Sequence, residues 1–410
     1  MKRLALIIDD YLPSSTRVAA KMFHELACQY VAMGHEVTVI TPAAGQSEKL
    51  VKETLDGVNV WRFSSGQMKD AGKVKRAINE TLMSYRAWSA IKGELNSDTF
   101  DGVVYYSPSI FFGTLVKNIK KRCGCSAYLV LRDLFPQWAI DQKLIKAGSP
   151  IAKYFRFFEL LSYRQADSIG LMSERNEDVF MRLNGEAYPT QILRNWASLQ
   201  PWRRNTEDES IREKLNLNDK VIYFYGGNIG HAQDMANLMR LAKNMSEHPK
   251  AHFLFIGQGD EVELIQGLAK EWHLSNFTYL PAVDQDTFKR ILSEVDVGLF
   301  SLAKNHTAHN FPGKLLGYMV QSLPILGSVN PGNDLMDIVN ANNAGMITVN
   351  GEDEALLNHA LELLSSEAVR SNVGQSGYEL LCKEFSVETI AQSIITELER
   401  DYRQLSVQQV

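Results

Sequence analysis

The sequence predicts an α/β protein with two doubly wound parallel sheets in tandem. Short apolar runs alternate with amphipathic stretches along the 410 residues, as in chains that build parallel sheets with crossover helices. The alternation lapses into a charged polar stretch at 203–209 and then restarts. Each half also opens with an apolar run and an unusual turn. We therefore expect one domain over 1–197, joined by a C-terminal helix at 386–410, and a second over 198–385.

The first half is predicted to contain seven strands. The apolar run at 4–8 is the first strand, and a helix follows it over about 17–33, where Gly34 is suited to end it. The remaining strands are expected near 37–40, 58–63, 103–106, 127–131, 168–172 and 191–193.

The second half repeats the pattern after a linker at about 197–219. A final amphipathic helix is expected over about 386–405. The strands of this half are expected near 221–225, 252–256, 277–280, 297–300, 324–326 and 346–349.

Composition narrows the class of protein. Hydrophobic residues make up 45% of the chain and charged residues 22%, which is ordinary for a soluble globular protein. No run of 18 apolar residues is present, so a membrane-spanning helix is not expected. The first apolar run is short and ends at Asp9 and Asp10, as a buried strand does and a signal peptide does not. The four cysteines lack metal-binding spacing, which favours a reducing cytoplasm.

The charge is unevenly divided between the two halves. Residues 1–200 carry 26 Lys and Arg against 20 Asp and Glu, whereas residues 201–410 carry 17 against 28. The first half also contains the aromatic and basic segment 153–158. We expect peripheral contact between this half and the anionic inner face of the cytoplasmic membrane, with solvated helix faces as the alternative. No nucleic-acid partner is expected.

A lysine at the start of a predicted helix is the most informative candidate for ligand binding. The run from Pro312 to Met319 reads as a loop and then a helix N-terminus, and the strand at 324–326 follows. The first turn of a helix exposes backbone N–H groups and the positive end of the dipole, and Lys314 adds a cation. This pattern favours a phosphate site, and a solvated surface lysine is the alternative.

The turns that follow the first strand of each half are the second candidate. The turn at 226–234 contains Gly227 and Gly230, and glycines at a strand end let the backbone approach a phosphate closely. A plain strand-to-helix turn is the alternative. The turn at 10–17 lacks the G-x-G-x-x-G pattern, which argues against a dinucleotide site in the first domain.

Other strand ends carry polar residues. The segment 257–259 follows one apolar run, and Arg132 with Asp133 follows another. A charged pair at a buried strand end is costly unless it is paired or functional, so ion pairing alone is the alternative. His309 is predicted either to contact a ligand or to be a surface histidine. The D-x-D sequence at 284–286 is interpreted as a helix cap and not as a metal site.

Together these segments resemble glycosyltransferase family 4, whose members have the GT-B fold. The resemblance covers the whole chain, and its most specific motifs are 131–136 (LRDLFP) and 227–233 (GNIGHAQ). These two resemble most the bacterial subgroup that builds O-antigen or capsule, with N-acetyl-L-fucosamine transferases as the nearest match. The other motifs that carry the resemblance lie at 11–13, 34–40, 193–196, 255–259, 296–299, 312–314 and 324–326.

The resemblance implies two Rossmann-like domains facing across a cleft, and a retaining transferase that needs no metal and no cofactor. The donor, a UDP-sugar such as UDP-N-acetyl-L-fucosamine, would bind the second domain. The acceptor, an undecaprenyl-diphosphate-linked saccharide, would bind the first. The catalytic group would comprise Asp133, Arg132 and Lys314. The donor residues would be Gly227, Asn228, Gly230, His231, Gln233, Gly257, Gln258, Gly259, Pro281, His309, Gly313 and Lys314. The acceptor residues would be Pro13, Ser14, Ser15, Arg17 and Trp138.

The chain departs from the family pattern in two places. The E-x7-E pair falls on His309 and Gly317, so the glutamate that would bind the ribose hydroxyls is missing. The Arg and Lys that grip the donor diphosphate are replaced by Asn228, His231 and Gln233. Lys314 is therefore expected to carry more of the phosphate charge. A GT-B nucleotide-sugar epimerase and a non-catalytic sugar-nucleotide binder remain as alternatives.

Overall fold

The protein is described here by a computed structural model. It covers residues 1–15, 17–67, 72–107, 109–203, 205, 208–305 and 312–400. The chain divides into two compact units: the first comprises Met1–Arg194 and the residues from Val387 onward, and the second is Asn195–Ser386. Each unit holds one sheet, and the fold class that the sequence predicts, two α/β units built on doubly wound sheets, is confirmed.

The first unit is built around an eight-stranded sheet. Its strands are β1 (Arg3–Ile7), β2 (Glu36–Ala44), β3 (Leu50–Leu55), β4 (Val58–Ser65), β5 (Gly102–Ser107), β6 (Ser126–Leu131), β7 (Ser168–Leu171) and β8 (Thr190–Ile192). Its helices are α1 (Val18–Ala32), α2 (Lys73–Thr81), α3 (Met83–Ile91), α4 (Gly113–Cys123), α5 (Gln137–Asp141), α6 (Pro150–Tyr163) and α7 (Glu174–Asn184).

The strand order of this sheet is β3-β4-β2-β1-β5-β6-β7-β8, and β3 alone runs antiparallel to its neighbour. The central strands are buried on both faces, which explains their continuous apolar sequence. Strand β3 was not predicted. It lies at the sheet edge and half of its residues are exposed, so it lacks the apolar run that marks the other strands.

The second unit has a fully parallel six-stranded sheet of order β11-β10-β9-β12-β13-β14. Its strands are β9 (Val221–Asn228), β10 (Ala251–Gln258), β11 (Phe277–Pro281), β12 (Val297–Ser301), β13 (Ile325–Val329) and β14 (Gly345–Val349). Its helices are α8 (Ile211–Lys214), α9 (Met235–Asn244), α10 (Val262–Glu271), α11 (Gln285–Leu292), α12 (Gly313–Val320), α13 (Asp334–Ala341), α14 (Asp353–Ser365) and α15 (Glu367–Leu380).

The last helix, α16 (Val387–Glu399), belongs to the first unit, where it packs against α1 and β6 through buried residues such as Ile390 and Ile394. It was expected to reach residue 405, but it ends at Glu399, and residues beyond 400 lie outside the described chain. Asp284 caps α11 by accepting from the backbone N–H groups of Asp286 and Thr287, which confirms the capping interpretation of the D-x-D sequence.

Candidate functional site

The two sheets each have a point where the strand order reverses. In the second unit the chain moves outward from β9 to β11 and then returns to place β12 on the other side of β9. In the first unit the reversal lies between β1 and β5. Ligands of such sheets bind beyond the carboxyl ends of the strands at these points. The sequence-predicted residues are considered below at each edge in turn.

Lys314 is buried at the reversal point of the second sheet. It is the second residue of α12, and its Nζ atom lies 3.8 Å from the centre of the Tyr225 ring at the end of β9. A Cβ atom built on Gly227 would lie 3.7 Å from Nζ, so the ammonium also rests against this backbone. Nζ has no hydrogen-bond partner among the described residues, and burial lowers the pKa of Lys314 to about 7. An unpartnered buried cation is costly, and an anionic ligand would offset that cost.

The glycines of this edge set how closely β9 and β10 approach each other. A Cβ on Gly257 would lie 1.8 Å from the carbonyl oxygen of Gly227, and one on Gly259 would lie 2.0 Å from that of Ile229. Gly227 has a φ of 118°, a conformation that other residues rarely adopt. Gly257 and Gly259 therefore hold the two strand ends together, and Gly227 keeps a side chain away from Lys314.

His231 is an exposed side chain that lies beside two carboxylates. Its Nδ1 atom lies 2.8 Å from Glu261 Oε1 and its Nε2 atom 3.4 Å from Asp260 Oδ2. The hydrogen bond with Glu261 raises the pKa of His231, and Asp260 adds to the rise. Glu261 also accepts from the backbone N–H of Met235 at the start of α9. His231 thus joins the turn after β9 to the end of β10.

The other predicted donor residues lie at the same sheet edge, and each has different surroundings. Asn228 Nδ2 donates to Gln233 Oε1 at 2.8 Å, so these two side chains are bonded to each other. Gln258 and Pro281 end β10 and β11 and are both exposed. Gly230 begins the turn that contains His231, and Gly313 is the exposed first residue of α12. His309 lies outside the described residues.

The predicted acceptor loop of the first unit is tied together by one carboxylate. Asp10 Oδ2 accepts from the Ser15 hydroxyl at 2.6 Å and lies 3.7 Å from Arg17 Nε. Ser14 donates to the carbonyl of Tyr11, while Pro13 is exposed. Arg62 of the predicted strand β4 donates to the carbonyl of Leu12, so β4 contacts this loop. Trp138 lies elsewhere, on α5, with its ring 5.9 Å from that of Phe135.

Arg132 and Asp133 have different surroundings at the end of β6. The guanidinium of Arg132 is buried and donates to the carbonyl oxygens of Leu193 and Arg194, which ties β6 to the end of β8. Burial lowers the pKa of Arg132 to about 10. Asp133 reaches solvent, yet the surrounding protein raises the pKa of its carboxyl, and Arg132 opposes that rise. The guanidinium of Arg132 is therefore occupied by backbone carbonyls, whereas the exposed carboxyl of Asp133 is accessible to a ligand.

The aromatic and basic segment of α6 divides between core and surface. Phe155 and Phe158 pack on the hydrophobic core of the first unit. Ile151 and Phe157 are 53% and 60% exposed, and Tyr154, between them on the same helix, is also exposed. These three residues, spaced three apart, form one helix surface that we term the α6 apolar face. Among all the helices of the described residues, α6 included, none combines the length and the apolar character that crossing a bilayer requires.

Two residues of these edges were not predicted to have a role in ligand binding. Tyr225, which lies under Lys314, was counted as the last apolar residue of its strand. Asp9 was used only as the end of the first apolar run. No signal in a single sequence separates either residue from an ordinary strand end.

Over the described residues, no group of three or more His, Cys, Asp or Glu side chains is arranged to hold a metal, and metal independence stays a prediction.

Comparison with known proteins gives a family match within the second unit. Residues 207–380 match the family described as glycosyl transferases group 1, so this unit carries a domain of that family. The chain is 23% identical over 329 residues to the Escherichia coli (strain K12) protein described as the colanic acid biosynthesis glycosyl transferase WcaI, covering 75% of this chain and 78% of that protein.

Solved structures show the same two-unit fold. Sucrose-phosphate synthase of Thermosynechococcus elongatus aligns with a TM-score of 0.68 and 17% identity, covering 99% of this chain and 100% of that one. HepE of Anabaena in complex with UDP and glucose aligns with a TM-score of 0.67 and 14% identity, covering 97% and 99%. The fold is therefore that of the GT-B glycosyltransferases, as the sequence resemblance implied.

Proposed function

We propose that this protein is a retaining glycosyltransferase that moves a sugar from a UDP-sugar to a saccharide carried on a lipid diphosphate. The observation that carries the proposal is the buried, unpartnered ammonium of Lys314 at the reversal point of the second sheet. The group 1 glycosyltransferase match over 207–380 contains this edge. A similar fold binds UDP in the HepE complex, which supports UDP as the nucleotide.

Lys314 would act mainly on the leaving group. As the glycosidic bond to the nucleotide breaks, negative charge develops on the diphosphate. A cation held in place beside the backbone N–H groups at the start of α12 stabilises that charge more than it stabilises the bound donor, and so it lowers the barrier. Asp133 would act on the other partner, by orienting the acceptor hydroxyl or by stabilising positive charge at the anomeric carbon. The reaction would need neither a metal nor a cofactor.

The acceptor is proposed from the name of the E. coli relative, which places that protein in colanic acid biosynthesis. Together with the motif resemblance, this favours an undecaprenyl-diphosphate-linked saccharide as the acceptor, and O-antigen or capsule synthesis as the process. We propose N-acetyl-L-fucosamine as the transferred sugar on the motif resemblance alone. A lipid-linked acceptor would bring the enzyme to the inner face of the cytoplasmic membrane.

Titration of UDP into the wild-type protein and into Lys314→Met tests this function by calorimetry. We expect UDP binding to weaken at least tenfold in the variant. Lys243→Met is the matched control, because Lys243 also lies over an aromatic ring of the second unit, 4.5 Å from the centre of Trp272, but is exposed. Equal UDP binding by wild type and Lys314→Met would contradict the proposed site. Sugar conversion without any acceptor would instead identify an epimerase.

A further inference from the structure

Asp9 is a carboxyl group that lies partly exposed at one edge of the first sheet. It follows β1 directly, at the point where the order of the first sheet reverses. Only part of the residue reaches solvent, and burial raises the pKa of its carboxyl. Its recorded hydrogen bond is to its own backbone N–H, and no side chain among the described residues bonds to it. Arg17, the cation that opposes the rise, lies beside Asp10.

Two other carboxylates of the protein, those of Glu159 and Glu261, have partners on both oxygens. Glu159, which is 1% exposed, accepts from the hydroxyl of Tyr163 at 2.7 Å and from the guanidinium of Arg156. Glu261 accepts from His231 and from the backbone of Met235. A buried carboxyl without such partners lowers stability, and perturbed groups of this kind concentrate at functional sites.

The surroundings of Asp9 hold further unused hydrogen-bonding groups. Ile7 pairs with Tyr105 in the parallel ladder, so Asp9 and Ser107 leave the same edge of the sheet. The buried hydroxyl of Ser107 has no partner in the described chain, and neither has that of Ser109. Buried polar groups are almost always bonded, so this edge has hydrogen-bonding capacity that the protein itself does not use.

Asp9 and Asp133 act on the same neighbour. Burial raises the pKa of Tyr106 to about 12, Asp133 and Asp9 add to the rise, and Arg132 opposes it. Strand β5, which carries Tyr106, lies between β1 and β6, so Asp9 and Asp133 follow the strands on its two sides. Such a pair repels phosphate, whereas carboxyl oxygens accept hydrogen bonds from hydroxyl groups. The chemistry suits a polyhydroxylated, uncharged ligand.

We propose that Asp9 binds hydroxyl groups of the acceptor saccharide, beside Asp133, in the first unit. This inference rests on the proposed glycosyltransferase function, because a sugar acceptor is what brings a polyhydroxylated ligand to this unit. The ligand atoms would supply the hydrogen bonds that the described residues leave unmade at Asp9. The diphosphate of the donor would bind the second unit, at Lys314.

Saturation-transfer NMR with methyl glycosides of glucose, galactose and N-acetylglucosamine, recorded with UDP present, tests the inference. We expect at least one glycoside to bind the wild-type protein with a weak signal that Asp9→Ala reduces at least fivefold, and that inorganic phosphate does not displace. The melting temperature of Asp9→Ala should equal or exceed that of the wild type, since the folded protein disfavours the charged form of this carboxyl. Asp9→Asn, which keeps the size, should also retain the fold.

Glu159→Gln is the matched control, because it alters a buried carboxyl whose partners are all within the protein. It should lower the melting temperature and leave the glycoside signal unchanged. Glycoside binding that persists in Asp9→Ala, a clear fall in melting temperature in both Asp9 variants, or no glycoside binding by the wild type would overturn the inference. If UDP also fails to bind, the proposed function itself fails; if UDP binds normally, only the role of Asp9 is lost.

Discussion

The ammonium of Lys314 lies over the ring of Tyr225, 3.8 Å from its centre, where no hydrogen-bond acceptor of the described chain reaches it. An aromatic face attracts a cation but replaces little of its hydration. The arrangement therefore holds Lys314 in place while leaving its charge available to a ligand. The consequences can be measured in the absence and in the presence of a nucleotide.

Lys314→Met should stabilise the protein without ligand while lowering turnover. Burial lowers the pKa of Lys314 from 10.5 to about 7, so the unfolded chain binds more protons between these values. The free energy of unfolding of the wild type should therefore rise with pH across this window. The variant should melt higher than the wild type at pH 6, with the difference shrinking toward pH 10. Turnover should fall about 10²–10³-fold, as for the loss of one donor to developing charge.

Circular dichroism melts across this pH range and a donor-turnover assay measure both quantities. Lys243→Met serves again as the control, and neither quantity should change in it. A variant that melts below the wild type at pH 6 would show that the ammonium is paired in solution.

Nucleotide binding should be accompanied by proton uptake. At pH 8 the amine of Lys314 is mostly neutral, because its pKa is about 7. A bound diphosphate favours the ammonium form and raises that pKa, so binding should take up a fraction of a proton approaching one. Calorimetric titrations of UDP in HEPES and in Tris, which differ in ionisation enthalpy, give the number of protons. The same number of protons in Lys314→Met would assign the uptake to another group.

Gly257→Ala should disrupt the second unit, because its Cβ would lie 1.8 Å from the carbonyl oxygen of Gly227. The clash is with the backbone of the neighbouring strand, so it can be relieved only by moving β9 away from β10. We expect a loss of several kcal/mol of stability, the scale of severe overpacking. Gly267→Ala is the control: its Cβ would meet no atom within 4 Å inside α10, and alanine should stabilise that helix by about 0.5–1 kcal/mol. Urea unfolding measures the free energy of unfolding of both variants. A Gly257→Ala variant as stable as the wild type would refute the role of Gly257.

Asp133→Asn should keep the fold and lower turnover by about 10²-fold, the scale of lost general acid–base assistance. The surrounding protein raises the pKa of the Asp133 carboxyl, so wild-type turnover should decline as the pH falls through that raised value. The variant should lack this decline, because the amide does not titrate. Turnover profiles from pH 4 to 8 measure it. Near-normal turnover in Asp133→Asn would remove this residue from the mechanism.

The α6 apolar face should mediate binding to anionic membranes. Ile151→Ser with Phe157→Ser should abolish sedimentation with vesicles of phosphatidylglycerol and phosphatidylcholine at low salt, since both side chains are exposed. Neighbouring cations such as Lys153 contribute about 1 kcal/mol each near an anionic surface, so high salt should weaken binding too. Leu264→Ser on the second unit, also exposed, should bind vesicles as the wild type does. Sedimentation that high salt does not weaken would refute the contribution of these cations to membrane binding.

The sequence by itself determined the fold class and the edges at which ligands would bind. Buried parallel strands such as β1 and β9 are continuous apolar runs, so their ends, and with them Asp10, Asp133 and Gly227, can be located by pattern alone. A lysine after Pro-Gly likewise placed Lys314 at a helix start. Strand β3 was missed because an edge strand can be polar. The segment 153–158 was predicted to contact a membrane, but its spacing alone did not say which of its aromatic residues face the core.

Only the tertiary structure decided which of these residues are already partnered. Residues distant in sequence meet there: Glu261 holds His231, backbone carbonyls of Leu193 and Arg194 hold Arg132, and Gly227 packs against Gly257. The Nζ atom of Lys314, in contrast, has no hydrogen-bond partner among the described residues, and the carboxyl of Asp9 remains partly exposed to solvent. Partnering depends on three-dimensional distance, which local patterns do not encode, and it is what separates a side chain that stabilises the fold from one available to a ligand.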